Sequence, residues 1–236
     1  MVRGLQSAST GMIAQMAGQD ITANNLANAN TAGYKRDIPS FESMLTNAVG
    51  AAPMTRISAG SGVDFAQGVL REAGNKFSMA LEGEGFFNVQ TPTGTAYTRD
   101  GAFNVSNDGY LVTESGNRVL GTAGAIKVGR GDFAVDPQGQ ITQNGAVVDT
   151  LKVSKFANTG PLSKTGGNLW TAGGAAATPA TGTSVRQGYL EGSNVNSVSE
   201  MVSMITAFRT FEATQKSIQA QDETLDKCVN EVGRVG

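Results

Sequence analysis

Glu82 and Glu84 stand two residues apart just before Phe86 and Phe87, and two carboxylates on one face of a strand could serve as general acid and base. No oriented nucleophile or second acid accompanies them, so a solvated edge or turn is the expected setting. Gly121-Thr122-Ala123-Gly124 and Gly129-Arg130-Gly131 are glycine-rich, but neither links a strand to a helix and no GK[ST] follows, so both read as turns rather than phosphate loops. The chain contains no histidine, which removes Ser-His-Asp triads, Cys-His dyads and imidazole metal sites together. Its one cysteine, Cys228, permits no intrachain disulfide and no cysteine-rich metal cluster, and is expected as a small apolar residue on a helix. No catalytic residue, metal site or cofactor is expected. Trp170 and the Phe86–Phe87 pair read as core.

Charge excludes further classes. Lys and Arg total 18 against 20 Asp and Glu, a net charge of −2 over 236 residues, which is no electrostatic footprint for nucleic acid. No apolar run approaches the ~20 residues that span a bilayer, so no integral membrane segment is expected. The polar, glycine-spaced stretch 1–20 lacks the apolar core of a cleaved secretory signal.

The elements that must position any function follow from punctuation. All six prolines lie between Pro39 and Pro179, so the ends are free to be helical. Residues 193–232 contain neither Gly nor Pro, and Ser197 with Glu200 reads as a capping box that starts a helix. Met204, Phe211, Ile218, Leu225 and Val232 recur every seven residues, a coiled-coil-like stripe. Val198, Met201, Val202, Ile205 and Phe208 add a second apolar set that one neighbouring helix could not cover.

At the other end Val2, Met16 and Ala23 share one heptad position and Leu5, Met12 and Leu26 another, with Gly33 marking the stop. Gly4, Gly11 and Gly18 are also spaced by seven, and each costs about 0.8–1 kcal/mol relative to Ala, so this helix needs a partner. The glycine stripe is read as allowing close approach of a neighbouring backbone. Between the ends, short β-prone runs alternate with turns at Asp100-Gly101, Asn107-Asp108-Gly109, Gln138-Gly139 and Asn144-Gly145, the pattern of an antiparallel meander. Thr171 to Thr183 reads as a loop. Tyr34 to Gly62 reads as a linker with a short helix around Phe41–Asn47.

The fold expected is therefore a mainly β body with long N- and C-terminal α-helices: an antiparallel β-meander or barrel-like domain on a terminal-helix coiled coil. Its parts are an N-terminal helix over 1–33, a linker over 34–62, a β-rich outer domain over 63–190 and a C-terminal helix over 191–236. Two amphipathic ends with more apolar surface than they can hide from each other imply homotypic assembly, and a non-closing contact would generate a helical tube.

Three ordered blocks carry a resemblance. Ala23-Asn24-Asn25-Leu26-Ala27-Asn28-Ala29-Asn30-Thr31-Ala32-Gly33-Tyr34-Lys35-Arg36 resembles the N-terminal signature of bacterial flagellar rod and hook proteins. Glu82-Gly83-Glu84-Gly85-Phe86-Phe87, Tyr97-Thr98-Arg99-Asp100-Gly101-Ala102-Phe103 and Gly109-Tyr110-Leu111-Val112-Thr113 resemble the β body of that family. Leu190-Glu191-Gly192-Ser193-Asn194-Val195-Asn196 with the helix after it resembles the other terminal signature.

The resemblance implies a structural subunit of the basal-body rod, the periplasm-spanning drive shaft, exported by the flagellar export apparatus without a cleaved signal. Its partners would be copies of itself and other rod subunits, its terminal helices the inner coiled-coil layers and its β domain the outer layer. Within the family, the short link from Tyr34 to Phe86 and the Leu190-Glu191-Gly192-Ser193 run resemble the proximal rod type, with the distal type close behind and hook proteins further off. The assembly interface implied comprises Leu5, Met12, Met16, Asn24, Asn25, Leu26 and Asn28 at one end and Met204, Ile205, Phe208, Phe211, Ile218 and Leu225 at the other. Asn24, Asn25 and Asn28 would supply hydrogen bonds that set register between helices. The alternative from a different class is a β-domain enzyme or a module that binds peptidoglycan or sugar.

Overall fold

The computed structural model describes residues 2–46, 54–129 and 131–232. In chain order the elements are α1 (Val2–Ala27), β1 (Asp37–Thr46), β2 (Met54–Val63), β3 (Leu70–Glu72), β4 (Met79–Glu82), β5 (Phe86–Thr91) and β6 (Gly94–Thr98). There follow β7 (Phe103–Val105), β8 (Leu111–Thr113), β9 (Arg118–Val119), β10 (Ala134–Val135), β11 (Gln140–Gln143) and β12 (Ala146–Thr150). The last are β13 (Val153–Phe156), β14 (Ser163–Gly166), β15 (Leu169–Thr171), β16 (Ala177–Pro179), β17 (Ser184–Gln187), β18 (Tyr189–Glu191) and α2 (Ser197–Val232).

The chain divides into two compact units, one of residues 1–27, 36–64 and 195–236, the other of residues 28–35 and 65–194. In the first, α1 lies against α2 and along the β1–β2 hairpin. That hairpin is the main departure from the expected linker. Residues 37–46 pair antiparallel with 54–63 in unbroken register, Asp37 opposite Val63 and Thr46 opposite Met54, and Phe41–Thr46 is strand rather than helix. Asn47 lies outside the described residues. Ten cross-strand pairs outweigh a helical preference that rested on a weakly periodic stretch.

The second unit is built of antiparallel strands. Its largest sheet runs β14-β15-β6-β5-β9-β8-β7, with β13 and β16 continuing from β5; a separate sheet is β10-β11-β12, and β17 pairs β4 as β18 pairs β3. These sheets are open, and among the described residues they close no barrel. Met79, Leu81, Phe87, Val89, Phe103, Leu111, Ile126, Ile141 and Val185 belong to one buried apolar cluster, with Phe87 and Phe103 edge to face at 5.1 Å. Strand alternation turns Phe86 and Tyr97 to the other face, where they and Phe156 make edge-to-face contacts, 5.8 Å from Phe86 and 4.8 Å from Tyr97. Trp170 is buried beside Phe65 on the same side of the chain's packing.

Turn chemistry explains most connections. Asn144 (φ 52°) and Gly145 (φ 79°) form a two-residue hairpin loop with both central residues at positive φ, closing Gln143 onto Ala146. Asn107-Asp108-Gly109 joins β7 to β8, and Gln138-Gly139 joins β10 to β11. Asp100-Gly101 does not make a hairpin: β6 and β7 are not partners, and the pair forms a corner. There the Asp100 carboxylate accepts the Ala102 amide at 3.0 Å and Gly101 lies so close to the Met79 carbonyl that a Cβ would overlap it. Ala177–Pro179, inside the expected loop, is a short edge strand on β13, where the proline tolerates the missing ladder partner.

Candidate functional site

The long helices and the segments entering the β unit carry the residues with the most to explain. α2 starts one residue earlier than a Ser197 cap would place it. The Asn196 side-chain oxygen accepts the Ser199 amide at 3.1 Å and its carbonyl accepts the Glu200 amide at 3.0 Å, so Asn196 is the N-cap. Glu200 does not fold back onto Ser197: its buried carboxylate pairs with Arg36 at 2.8 Å.

Along α2, Met204, Ala207, Phe211, Thr214 and Ile218 are half-buried at three- and four-residue spacing, with Leu225 a heptad further on, one face of a helix that lies against α1. Val198, Met201, Val202, Ile205 and Phe208 form a second stripe and stay exposed, Val202 by 59%, Ile205 by 56% and Phe208 by 53%. Thr206, Thr210 and Thr214 donate their hydroxyls to the carbonyls four residues back, at 2.9 Å each, which occupies those hydroxyls within the helix. On α1, Met12 and Leu26 are half-buried, whereas Ile13 and Met16 are exposed by 63% and 53%. Gly11 faces open space, so among the described residues no element uses the close approach it permits. Leu5 lies on α1 and Cys228 on α2, but both side chains are outside the described residues.

The asparagines divide. Asn25 is buried, and its carboxamide makes a reciprocal pair with the Asp37 backbone: Nδ2 donates to the carbonyl at 2.8 Å and Oδ1 accepts the amide at 2.8 Å. It fastens the end of α1 to the start of β1. Asn24 is exposed and Asn28 half-buried, the latter accepting the Thr31 amide through its carbonyl.

In the β unit a buried ion cluster joins residues to which sequence reasoning assigned no role. Lys35 is fully buried, and its ammonium donates to Glu191 Oε1 at 2.6 Å and to the Ala66 carbonyl at 2.7 Å. The same Oε1 accepts the Gly68 amide at 2.9 Å. Arg99 donates to Glu191 Oε2 at 3.1 Å and to the Gly83 carbonyl at 2.7 Å. Burial pulls the Arg99 guanidinium below its usual pKa, opposed by the Glu191 charge. The Glu191 carbonyl takes the Gly33 amide at 2.8 Å, and the Asn168 side chain donates to the Ala32 carbonyl at 2.9 Å. Gly33 has φ +67° and would place a Cβ 2.3 Å from the Asp100 nitrogen, so only glycine fits.

One carboxylate thus ties together the segment after α1, the Arg99 corner and the end of β18. Lys35 and Arg36, neighbours in sequence, are each paired to a glutamate of their own unit, Lys35 to Glu191 and Arg36 to Glu200. The available signal was three charged residues, each inside a separate motif block of a chain poor in charge.

Glu82 and Glu84 are exposed and neutralised separately. Glu82 pairs with Arg186 at 2.7 Å and Glu84 with Lys155, and hydrogen bonding to these cations holds both carboxyls below their ordinary range. Neither is poised as a general acid. Among the described residues no three His, Cys, Asp or Glu side chains gather as metal ligands, and no helix is long and apolar enough to cross a membrane.

Family comparison matches the same three regions. Residues 5–35 match the flagella basal body rod protein family, residues 80–147 the flagellar hook protein FlgE/F/G D1 domain, and residues 186–231 the flagellar basal body rod FlgEFG protein C-terminal family. The chain is 36% identical to the flagellar basal-body rod protein FlgG of Agrobacterium fabrum, covering 94% of this chain and 96% of the relative. This chain belongs to the flagellar basal-body rod protein family. It is a structural protein and not an enzyme. It is also 31% identical to FlgG of Bacillus subtilis, over 98% of this chain and 99% of that one, and 31% identical to FlgF of Caulobacter vibrioides, over 92% of each. Lys35, Arg99 and Glu191 fall one in each of the three matched regions.

Proposed function

We propose that the chain is a rod subunit of the proximal, FlgF-like type, built into the periplasm-spanning drive shaft of the bacterial flagellum with copies of itself and other rod subunits. The observation that carries this reading is the pair of apolar stripes on α2, one turned to α1 and the other exposed, which is the surface of a helix meant to have more neighbours than its own chain provides. In the assembled rod, α1 and α2 form the coiled-coil inner layers, with Leu5, Met12, Met16, Asn24, Asn25, Leu26, Asn28, Met204, Ile205, Phe208, Phe211, Ile218 and Leu225 at or beside the seams. The β unit forms the outer layer. Torque passes through quasi-equivalent helix packing, without ligand or cofactor. The subunit leaves the cell through the flagellar export apparatus, its N-terminal segment uncleaved.

Length supports the proximal type. At the same 31% identity, the alignment with FlgF of Caulobacter vibrioides runs over 230 positions and that with FlgG of the same bacterium over 255, so the FlgF alignment needs fewer gaps against 236 residues. The distal type is the second reading, favoured by the higher identity to FlgG of Agrobacterium fabrum.

Ile205→Asp with Phe208→Asp tests the assembly. Both side chains are exposed, so the isolated chain should keep its melting behaviour while rod incorporation and swimming are lost. Normal swimming by the double variant would refute the role of the stripe. Restoration of motility in a strain lacking FlgF, and not in one lacking FlgG, decides between the two types.

A further inference from the structure

On the face of β5 that points away from the main core, Asn88 is buried to 2% exposure, yet its carboxamide has no hydrogen-bond partner among the described residues, and its Oδ1 is left unsatisfied. Its backbone is fully used, the amide donating to the Lys152 carbonyl and the carbonyl accepting the Leu120 amide. A buried carboxamide without a partner is uncommon, because its lost hydration is not repaid. Asn88 lines a cavity of about 590 Å³, a size suited to a small ligand.

The walls define the ligand class. Tyr97, directly across the ladder from Asn88, supplies an aromatic wall, Thr95 and Ser154 supply hydroxyls, and the Thr178 hydroxyl, which donates to the Lys155 carbonyl at 3.1 Å, retains its acceptor capacity. Among the described residues lining the cavity there is no carboxylate, and Lys152 is its single cation. A cationic ligand would find no counter-charge, and a phosphate would find one lysine and no guanidinium fork. Neutral amide and hydroxyl groups beside an aromatic ring instead match a molecule that is itself neutral, rich in hydroxyls and partly apolar.

We propose that this cavity is a binding site for a neutral saccharide of one or two rings, with the Asn88 carboxamide as its central hydrogen-bonding group. The site lies wholly within the β unit and does not depend on how the terminal helices assemble. The side chain can present either its oxygen or its NH₂ to the sugar by rotation about the last torsion, since no protein group holds it.

Titration of the ¹⁵N-labelled full chain with cellobiose and with N,N′-diacetylchitobiose tests the proposal. At least one should shift the Asn88 side-chain amide and the Thr95 and Tyr97 backbone amides saturably, with half-saturation at about 1–10 mM, the range of a few hydrogen bonds in a preformed pocket. Asn88→Leu removes an unpartnered amide from the interior and should weaken the Tyr97 response at least tenfold. Thr95→Val, at an exposed position, gives a second variant that leaves the interior intact and should weaken it about two- to fivefold, the worth of one modest hydrogen bond. No shift at these residues up to about 50 mM, an unchanged response in both variants, or the same shifts from glycerol at equal hydroxyl concentration would overturn the assignment.

Discussion

Replacing Glu191 by Gln is the sharpest probe of the buried cluster. Glutamine keeps the shape of the side chain but removes the charge that compensates two buried cations, Lys35 at 2.6 Å and Arg99 at 3.1 Å. One of its two terminal groups becomes an NH₂, which must face Lys35 and the Gly68 amide or else Arg99, a donor against donors in either orientation. At least one charge-assisted hydrogen bond, worth about 1.5–3 kcal/mol, is therefore lost outright. The cations are left with their desolvation uncompensated, and breaking buried pairs in this way costs about 3–5 kcal/mol in total. Trp170 is the sole tryptophan and is buried in the same unit, so urea unfolding followed by its fluorescence reports on this unit directly. The expected result is a loss of about 3–5 kcal/mol with the slope against urea unchanged. A loss under about 1 kcal/mol would refute the argument, because it would mean that the carboxylate carries no more than an exposed ion pair does. Adding Lys35→Met to the variant should recover part of the loss by removing one stranded cation, and a purely additive effect of the two changes would count against direct coupling.

Asn25→Ala leaves the Asp37 amide and carbonyl without their reciprocal partner and should lower stability by about 2–3 kcal/mol, read as an earlier loss of helical circular dichroism on heating. Asp100 supplies a pH test. Burial raises its carboxyl above the ordinary value, opposed by the Ala102 amide and reinforced by Glu114, so the ionised form costs the folded state stability at neutral pH. Asp100→Asn keeps the acceptor for Ala102 and should make the protein more stable at pH 7. The gain should shrink as pH falls through the raised pKa and vanish below the ordinary carboxyl value of about 3.9, where the native residue is protonated both folded and unfolded. A gain independent of pH in paired unfolding curves would contradict this cause.

Local punctuation made much of the architecture legible. The span of α2 follows from the absence of Gly and Pro, and the Asn144-Gly145 hairpin from two residues that tolerate positive φ, both properties of short stretches of chain. The two stripes of α2 were readable for the same reason, since helical periodicity alone sorts side chains onto faces. The hairpin of β1 and β2 was not readable, because its stability lies in pairing across the turn rather than in the propensity of either strand.

The same distinction separates the motifs from their roles. Sequence alone showed that charged residues stand in three separated blocks, and the resemblance of those blocks named the family that comparison then established. It did not show that Lys35, Arg99 and Glu191 meet, although Lys35 and Glu191 are 156 residues apart along the chain. It read Glu200 as half of a capping box, whereas Glu200 pairs with Arg36, and it gave no sign that Asn25 fastens α1 to the Asp37 backbone. Composition, helix extent and turn type are set by the energies of neighbouring residues and so are written along the chain. Which buried charge neutralises which, and which polar side chain is left without a partner, depends on distances that exist only after the backbone has folded, and only the tertiary structure decides them.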